Sequence, residues 1–275
     1  MQLRFNRDYI LKVQFGSKVA EYVPPVRIAF ECQKSINGQL NKIKLQIYNL
    51  TEANRRFLVK DPEEDKQVPF SLDVGYDGKV ENIFKGTVFK AYSERKGSDF
   101  ITTLESIDGG YDMVNSFTSK VVKGKTTAVD ELIGDFTRVT KGKITEQNQL
   151  IRPKVMIGNT ITLIQESLNE GESFFIDGEK AYIIKADDVV ESFIPVVNAK
   201  TGLLNQPQRA NQIVTFDTLL NPAVKIGCRV DLQSETAPHL TGIYKVETIT
   251  YKGDWEGSDW YQSCDCILIS RANVL

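Results

Sequence analysis

Residues 216–260, FDTLLNPAVKIGCRVDLQSETAPHLTGIYKVETITYKGDWEGSDW, decide the fold class. Val224, Ile226, Cys228, Val230 and Leu232 alternate with Lys225, Gly227, Arg229 and Asp231, the period of a strand with one buried face. A second run starts at Gly242. Tyr244, Val246, Thr248 and Thr250 fall on one side, and Lys245, Glu247, Ile249 and Tyr251 on the other, until Gly253 and Gly257 break the pattern. Leu219-Leu220-Asn221-Pro222 forms a corner before the first run, and Cys264–Ile269 reads as a last strand. These are pieces of a small antiparallel barrel or sandwich.

The same alternation returns at the other end of the chain. Val26, Ile28, Phe30 and Cys32 alternate with Arg27, Ala29 and Glu31; after Asn37-Gly38, Ile43, Leu45 and Ile47 repeat the pattern, so a hairpin is expected. Thr51 is placed to cap a short helix running to Leu58, and 61–67 is a charged loop. Strands follow at Ser71–Tyr76, Ile83–Tyr92 and Phe100–Ser106, separated by Asp77-Gly78 and Lys96-Gly97. That density of short strands implies a barrel or sandwich.

At Asp108-Gly109-Gly110 the character changes. Val129, Leu132, Ile133 and Phe136 recur with helical spacing behind a Thr127/Asp130 capping pattern. Asn159 is placed to cap a second helix with Ile161, Ile164 and Leu168 inward, closed by Glu170-Gly171. A strand at 143–146 and a hairpin turned at Asp177-Gly178 complete a small α+β unit. The expected organisation is therefore mainly β with an α+β insertion: a β-barrel or sandwich domain over 1–111, an α+β domain with two helices over 112–188, and a second β-barrel or sandwich domain over 189–275. Asn198–Gln212 reads as a long surface loop.

Composition bounds the function. The 275 residues suffice for two or three domains, and a hydrophobic fraction of 41% with 25% charged residues is that of a soluble globular protein. No apolar run approaches the roughly 18 residues a spanning helix needs, and the first residues lack the apolar core of a secretory signal. A net charge of −2 without a basic block argues against nucleic acid as a partner. Four scattered cysteines, at 32, 228, 264 and 266, do not make a disulfide framework.

Several groups could carry chemistry. His239 is the only histidine and stands before a turn without a G-x-S-x-G motif. Cys264 and Cys266 share a strand face, and Cys228 lies upstream, but a C-x-C spacing lacks the metal-knuckle form, so packed thiols are the simpler reading. Asp254, Glu256 and Asp259 bracket Trp255 and Trp260, which could mimic an acid pair beside a sugar platform; a peptidoglycan-active enzyme is therefore one alternative, and a metal-binding or carbohydrate-binding module another. Glu63-Glu64-Asp65 and Asp187-Asp188 read as exposed charges, and Asp108-Gly109-Gly110 lacks the spacing of a phosphate cradle.

The order of short motifs resembles a known family. Ile47-Tyr48-Asn49-Leu50 before Thr51, Phe84-Lys85-Gly86-Thr87-Val88, Ser106-Ile107-Asp108-Gly109, Leu219-Leu220-Asn221-Pro222 and Gly242-Ile243-Tyr244-Lys245-Val246 with Gly253-Asp254 are similar to the hub proteins of tailed-phage baseplates. The resemblance covers most of the chain. It implies a structural protein of the virion, made in the host cytoplasm, without catalysis or cofactor. It implies a homotrimeric ring with β domains like the tail-tube protein, a central spike protein on one side, a tube or tube-initiator protein on the other, and other baseplate (wedge) proteins around it. The interface residues expected are in the two long polar connections: Asp61, Glu63 and Glu64 in the first, and Asn198, Lys200, Arg209, Asn211 and Gln212 in the second.

Overall fold

A computed structural model of the chain describes residues 6–38, 40–59, 68–123, 125–145 and 153–269. The first strand-rich segment runs β1 (Arg7–Phe15), β2 (Lys18–Tyr22), β3 (Ile28–Ser35), β4 (Lys42–Tyr48), helix α1 (Glu52–Leu58), β5 (Pro69–Tyr76), β6 (Lys79–Lys96) and β7 (Asp99–Ile107). The middle runs α2 (Gly110–Asn115), β8 (Phe117–Val122), α3 (Lys125–Ile133), β9 (Thr140–Ile144), β10 (Lys154–Asn159), α4 (Thr160–Glu166), β11 (Glu172–Asp177) and β12 (Lys180–Lys185). The last segment runs β13 (Val196–Val197), β14 (Gln208–Ala210), β15 (Ile213–Leu219), β16 (Arg229–Leu232), β17 (Gly242–Asp254) and β18 (Trp260–Leu268). The chain is mainly β with an α+β insertion.

Both strand-rich ends belong to one 13-stranded sheet in the order β14-β15-β18-β17-β3-β4-β7-β6-β5-β1-β2, with β16 also on β17 and β13 on β16. The join is the antiparallel ladder from Thr248↔Ser35 to Asp254↔Ala29. On that edge β17 has two partners in succession. Its first residues pair with β16, and from Thr248 onward it pairs with β3.

The change of partner explains a departure from simple alternation. Glu247 is an extra residue between Val246↔Cys266 and Thr248↔Asp265 of the β18 ladder. Such a bulge turns the following side chains over. Hence Tyr244 and Val246 are buried before it, and Ile249 and Tyr251 after it. The predicted strand over 224–232 is likewise shortened to Arg229–Leu232. All five alternating residues are buried, but Gly227 has φ of 71°, and Gly227 N–H and Cys228 C=O both bond to Val246. Two residues therefore oppose one, a second bulge that requires the left-handed backbone glycine supplies without strain.

Local signals act as their chemistry dictates elsewhere. The Thr51 hydroxyl accepts from Asn54 N–H to cap α1, and the Asn159 side chain accepts from Ile161 and Thr162 N–H to cap α4. Helix α3 starts at Lys125, so Thr127 lies inside it and does not cap it. The β11–β12 hairpin turns on Gly178 and Glu179, both at positive φ, one residue later than expected. Because Asp177↔Lys180 is the last pair, the two-residue loop needs two left-handed residues.

Two cores result. One spans both ends of the chain, from Tyr9, Leu11, Leu45 and Ile47 to Phe216, Val246 and Tyr251. The other, around Val129, Leu132, Ile164 and Ile183, belongs to the insertion. Phe174 and Ile176 of β11 face the second core while Phe175 and Ile184 face the first. The three-stranded sheet β11-β12-β9 thus lies between the main sheet and the helices. Each fully buried Leu, Ile or Phe contributes roughly 1.5–3 kcal/mol.

Candidate functional site

The candidate chemical groups are absorbed by the fold. His239 is exposed in a 3-10 turn over Pro238–Leu240. Cys264 and Cys266 are fully buried on one face of β18, and Cys228 is also buried. Among the described residues no three His, Cys, Asp or Glu side chains are grouped to hold a metal ion.

The acidic loop after β17 is a braced corner. Asp254 accepts from Arg27 Nε at 3.1 Å and Nη2 at 2.8 Å, and from Glu256 N–H at 3.2 Å. Burial is the largest single influence and opposes its charge, but the Arg27 hydrogen bonds and charge together with the backbone N–H groups of Gly257 and Glu256 outweigh it and hold the carboxyl below its usual range. Arg7 Nη1 donates to the carbonyls of Asp254 and Gly257, and Nη2 to that of Ser258. Trp260 is buried edge-on to Phe30, with ring centroids 5.7 Å apart. The two tryptophans therefore hold the corner and offer no open platform.

The second polar connection is more ordered than a plain loop. Asn198 Oδ1 accepts from Lys200 and Thr201 N–H, and its amide donates to Gln233. Leu203 and Leu204 bond back to Asn198 and Asp217. Arg209 lies on β14, the outermost strand of the main sheet, and its guanidinium bonds to the Asn211 carbonyl. Asn211, at φ of 56°, makes the turn into β15, with Gln212 exposed beside it. Asn198 and Asn211 thus shape local turns, and the Asn205 amide reaches Asp217 on β15. Asp61, Glu63 and Glu64 lie outside the described residues.

Besides the two-residue β13, which pairs only with β16, the main sheet has two open strand edges among the described residues. At one end of the sheet β14 pairs only with β15, and at the other β2 pairs only with β1, among the described residues. Val19 on β2 is 63% exposed and Ile213 beside β14 is 42% exposed. The β1–β2 hairpin escaped the sequence reading, although Tyr9, Leu11 and Val13 alternate before a Gly16 turn and are fully buried.

The insertion docks on the sheet through polar groups. Buried Asp108 accepts from Gly178 N–H at 2.6 Å and Glu179 N–H at 2.9 Å, holding the β11–β12 turn. Burial and the neighbouring Asp177 push its carboxyl up to about 8, against the pull of Lys34. Lys34, on β3, is buried and paired with Asp177. Burial opposes its charge most strongly, yet Asp177, Cys32 and Asp108 together more than restore it. Asn41 bonds to the Ile176 carbonyl at 2.6 Å. Lys245 is buried without a carboxylate and donates to the carbonyls of Lys185 and Ala186 at 3.0 and 2.8 Å. Sequence spacing carried no sign of this join, because Lys34 and Lys245 look like ordinary outward residues of alternating strands.

The chain and its fold are similar to known proteins. A family model described as baseplate hub gp41 matches residues 10–266. The prophage MuSo2 43 kDa tail protein from Shewanella oneidensis has a similar fold at a TM-score of 0.67 and 10% identity, over 96% of this chain and 97% of that one. The tail protein from Neisseria meningitidis MC58 gives a TM-score of 0.64 at 10% identity, over 94% and 96%. The E. coli c3393 protein, described as a component of the type VI secretion system with structural similarity to T4 bacteriophage tail proteins gp27 and gp5, gives 0.64 at 9%, over 95% and 77%. No curated protein matches in sequence.

Proposed function

The chain belongs to the baseplate hub gp41 family, and from that premise we propose that three copies close into a ring, the hub of a phage tail baseplate, joining the tail tube above to the central spike below. The observation that carries the ring is the open main sheet with one free edge at each end, β2 and β14. Pairing the β2 edge of one copy with the β14 edge of the next is a heterologous contact, and such contacts give a closed ring when the rotation per copy divides a full turn. Two strand-rich segments per copy, over 1–111 and 189–275, then place six similar units around the axis, so a threefold hub meets a sixfold tube without mismatch. The insertion over 112–188 stands outside that count.

In this reading the protein is structural and catalyses nothing. Asp254 and Glu256, the acids an enzyme would use, face Arg27. Spike, tube and wedge proteins are its partners in the virion, to which it is added after synthesis in the host cytoplasm. No helix among the described residues is long and apolar enough to cross a membrane.

Cysteine cross-linking tests the edges. Ala20→Cys on β2 with Arg209→Cys on β14 is expected to give covalent dimers and trimers on oxidation, since the four native cysteines are buried. Light scattering and threefold classes in electron micrographs of the full chain with its spike are the companion readouts. A monomer in the presence of the spike, or cross-linking confined to single chains, refutes the ring.

A further inference from the structure

Four of the most exposed apolar side chains cluster on one ribbon of the insertion, and a fifth stands on the helix just before it. In the β8–β10 ribbon, Phe117 lies opposite Asn159, Ser119 opposite Ile157, and Val121 opposite Val155, so all six share one face. Phe117, Val121, Val155 and Ile157 are 56–63% exposed, and Val114 on α2, just before β8, is 80% exposed. The other face, with Val122 and Met156, covers the helix core. Together the exposed apolar side chains present on the order of 500 Å², at the upper end of what a monomer leaves uncovered and enough for the centre of a standard interface.

Position and charge narrow the occupant. From the main sheet outward the layers are β11-β12-β9, the helices, then the ribbon, so the apolar face looks away from the sheet whose edges close the ring. In the proposed ring, neighbouring copies meet at β2 and β14, away from this face. Lys123, exposed, follows Val121 at the end of the ribbon with the same parity as the apolar face, whereas Lys154, also exposed, pairs with Val122 on the opposite face. One lysine on this face is too few for a lipid surface, where four to eight basic residues are typical, but Lys123 suits a carboxylate at the rim of an apolar protein contact. β8 and β10 also each keep an unpaired edge among the described residues, which a protein can hydrogen-bond and a bilayer cannot.

We propose that the outer face of the β8–β10 ribbon docks a second, non-identical tail protein, through an apolar surface carrying a carboxylate next to Lys123. The inference rests on the hub reading.

Hydrogen exchange of the full chain, as the isolated ring and inside assembled tails, tests it. Amides of 117–121 and 155–157 are expected to exchange at least tenfold more slowly in tails than in the ring. Val121→Lys with Ile157→Lys is expected to leave melting and ring formation unchanged while abolishing incorporation into tails. If that variant does not fold, the wild-type comparison stands alone. Equal exchange in both states overturns the proposal, as does protection already complete in the isolated ring, which would mean a second copy covers the face. Binding of the wild-type ring, and not the variant, to vesicles with anionic lipid overturns it in favour of a membrane. A chain that forms no ring and enters no tail refutes the hub reading itself, an outcome separate from these.

Discussion

Gly253 gives the sharpest test of how the main sheet is packed. It is paired across the ladder with Phe30 on one side and Trp260 on the other. An added Cβ would sit 2.3 Å from Phe30 Cε1 and 2.4 Å from Cζ, so contact at an ordinary separation demands a shift of about 1 Å. The ring cannot yield, because Phe30 is buried and set edge-on against buried Trp260. Gly253→Ala is therefore expected at the upper end of overpacking costs, about 3 kcal/mol, which for a chain of this size lowers Tm by roughly 6–12 °C. Gly242→Ala is the control, since its Cβ would meet only ordinary contacts at 3.7 and 3.9 Å and is expected to leave Tm within about 1 °C. Thermal melting of Gly253→Ala, Phe30→Leu and the double variant closes a cycle. The smaller ring should relieve the clash and reveal a coupling of about 1–3 kcal/mol. Additive effects, or a Gly253→Ala protein that melts with the parent, refute the claim that the Phe30 ring occupies the Cβ position.

Two further outcomes are expected. The Asp108 carboxyl is raised to about 8 by burial and by Asp177, so the folded state holds its proton more tightly than the unfolded chain; that stabilisation is complete below about pH 4 and lost as pH rises through about 8. Melting of the parent should fall between about pH 4 and 8, and Asp108→Asn should flatten that slope; a slope unchanged in the variant assigns it to other groups. Burial pushes the thiols of Cys32 and Cys228 up to about 12 and 11, and those of Cys264 and Cys266 well above their usual range. An aromatic disulfide reagent at pH 8 should label no cysteine in the native protein and all four in denaturant; fast labelling of Cys228 would place it at an open site.

Local patterns were legible where one physical rule decided the outcome. The caps at Thr51 and Asn159 follow from side-chain acceptors facing free N–H groups, and the buried faces of β3 and β4 from period-two alternation with no bulge. The rest failed for a common reason: the deciding contact was distant in the chain. A single alternation was read through β17, yet its face turns over at Glu247, where the edge partner changes from β16 to β3, more than 190 residues earlier in the chain. The second polar connection looked like loop because its amides are local turn formers, while β14 exists only through pairing with β15. Lys34, Asp108 and Lys245 gave no signal of their role, since what makes them unusual is the unit packed on them. The family resemblance was carried by short turn and strand motifs that mark corners of this sheet, not by any site.

The two ways in which the parts are joined bear on what a hub must do. The strand-rich ends share a hydrogen-bonded ladder and one apolar core, so load on either edge passes through β17 into the other half without a hinge. The insertion has its own core and is attached by Asp108, the Lys34–Asp177 pair, Asn41 and Lys245. A buried ion pair adds little net stability over apolar packing, but deleting one partner costs about 3–5 kcal/mol because the other is left uncompensated. Phe175 and Ile184, buried in the main core, supply the strength of the join, and the polar groups make it strict in geometry: the insertion has one seat on the sheet, and sliding off it exposes unpaired charges. In the proposed ring that division of labour is useful. The continuous sheet keeps the closing edges at a fixed angle, and the polar seat fixes where the β8–β10 ribbon points, so that three copies present their apolar faces at equivalent positions around the axis.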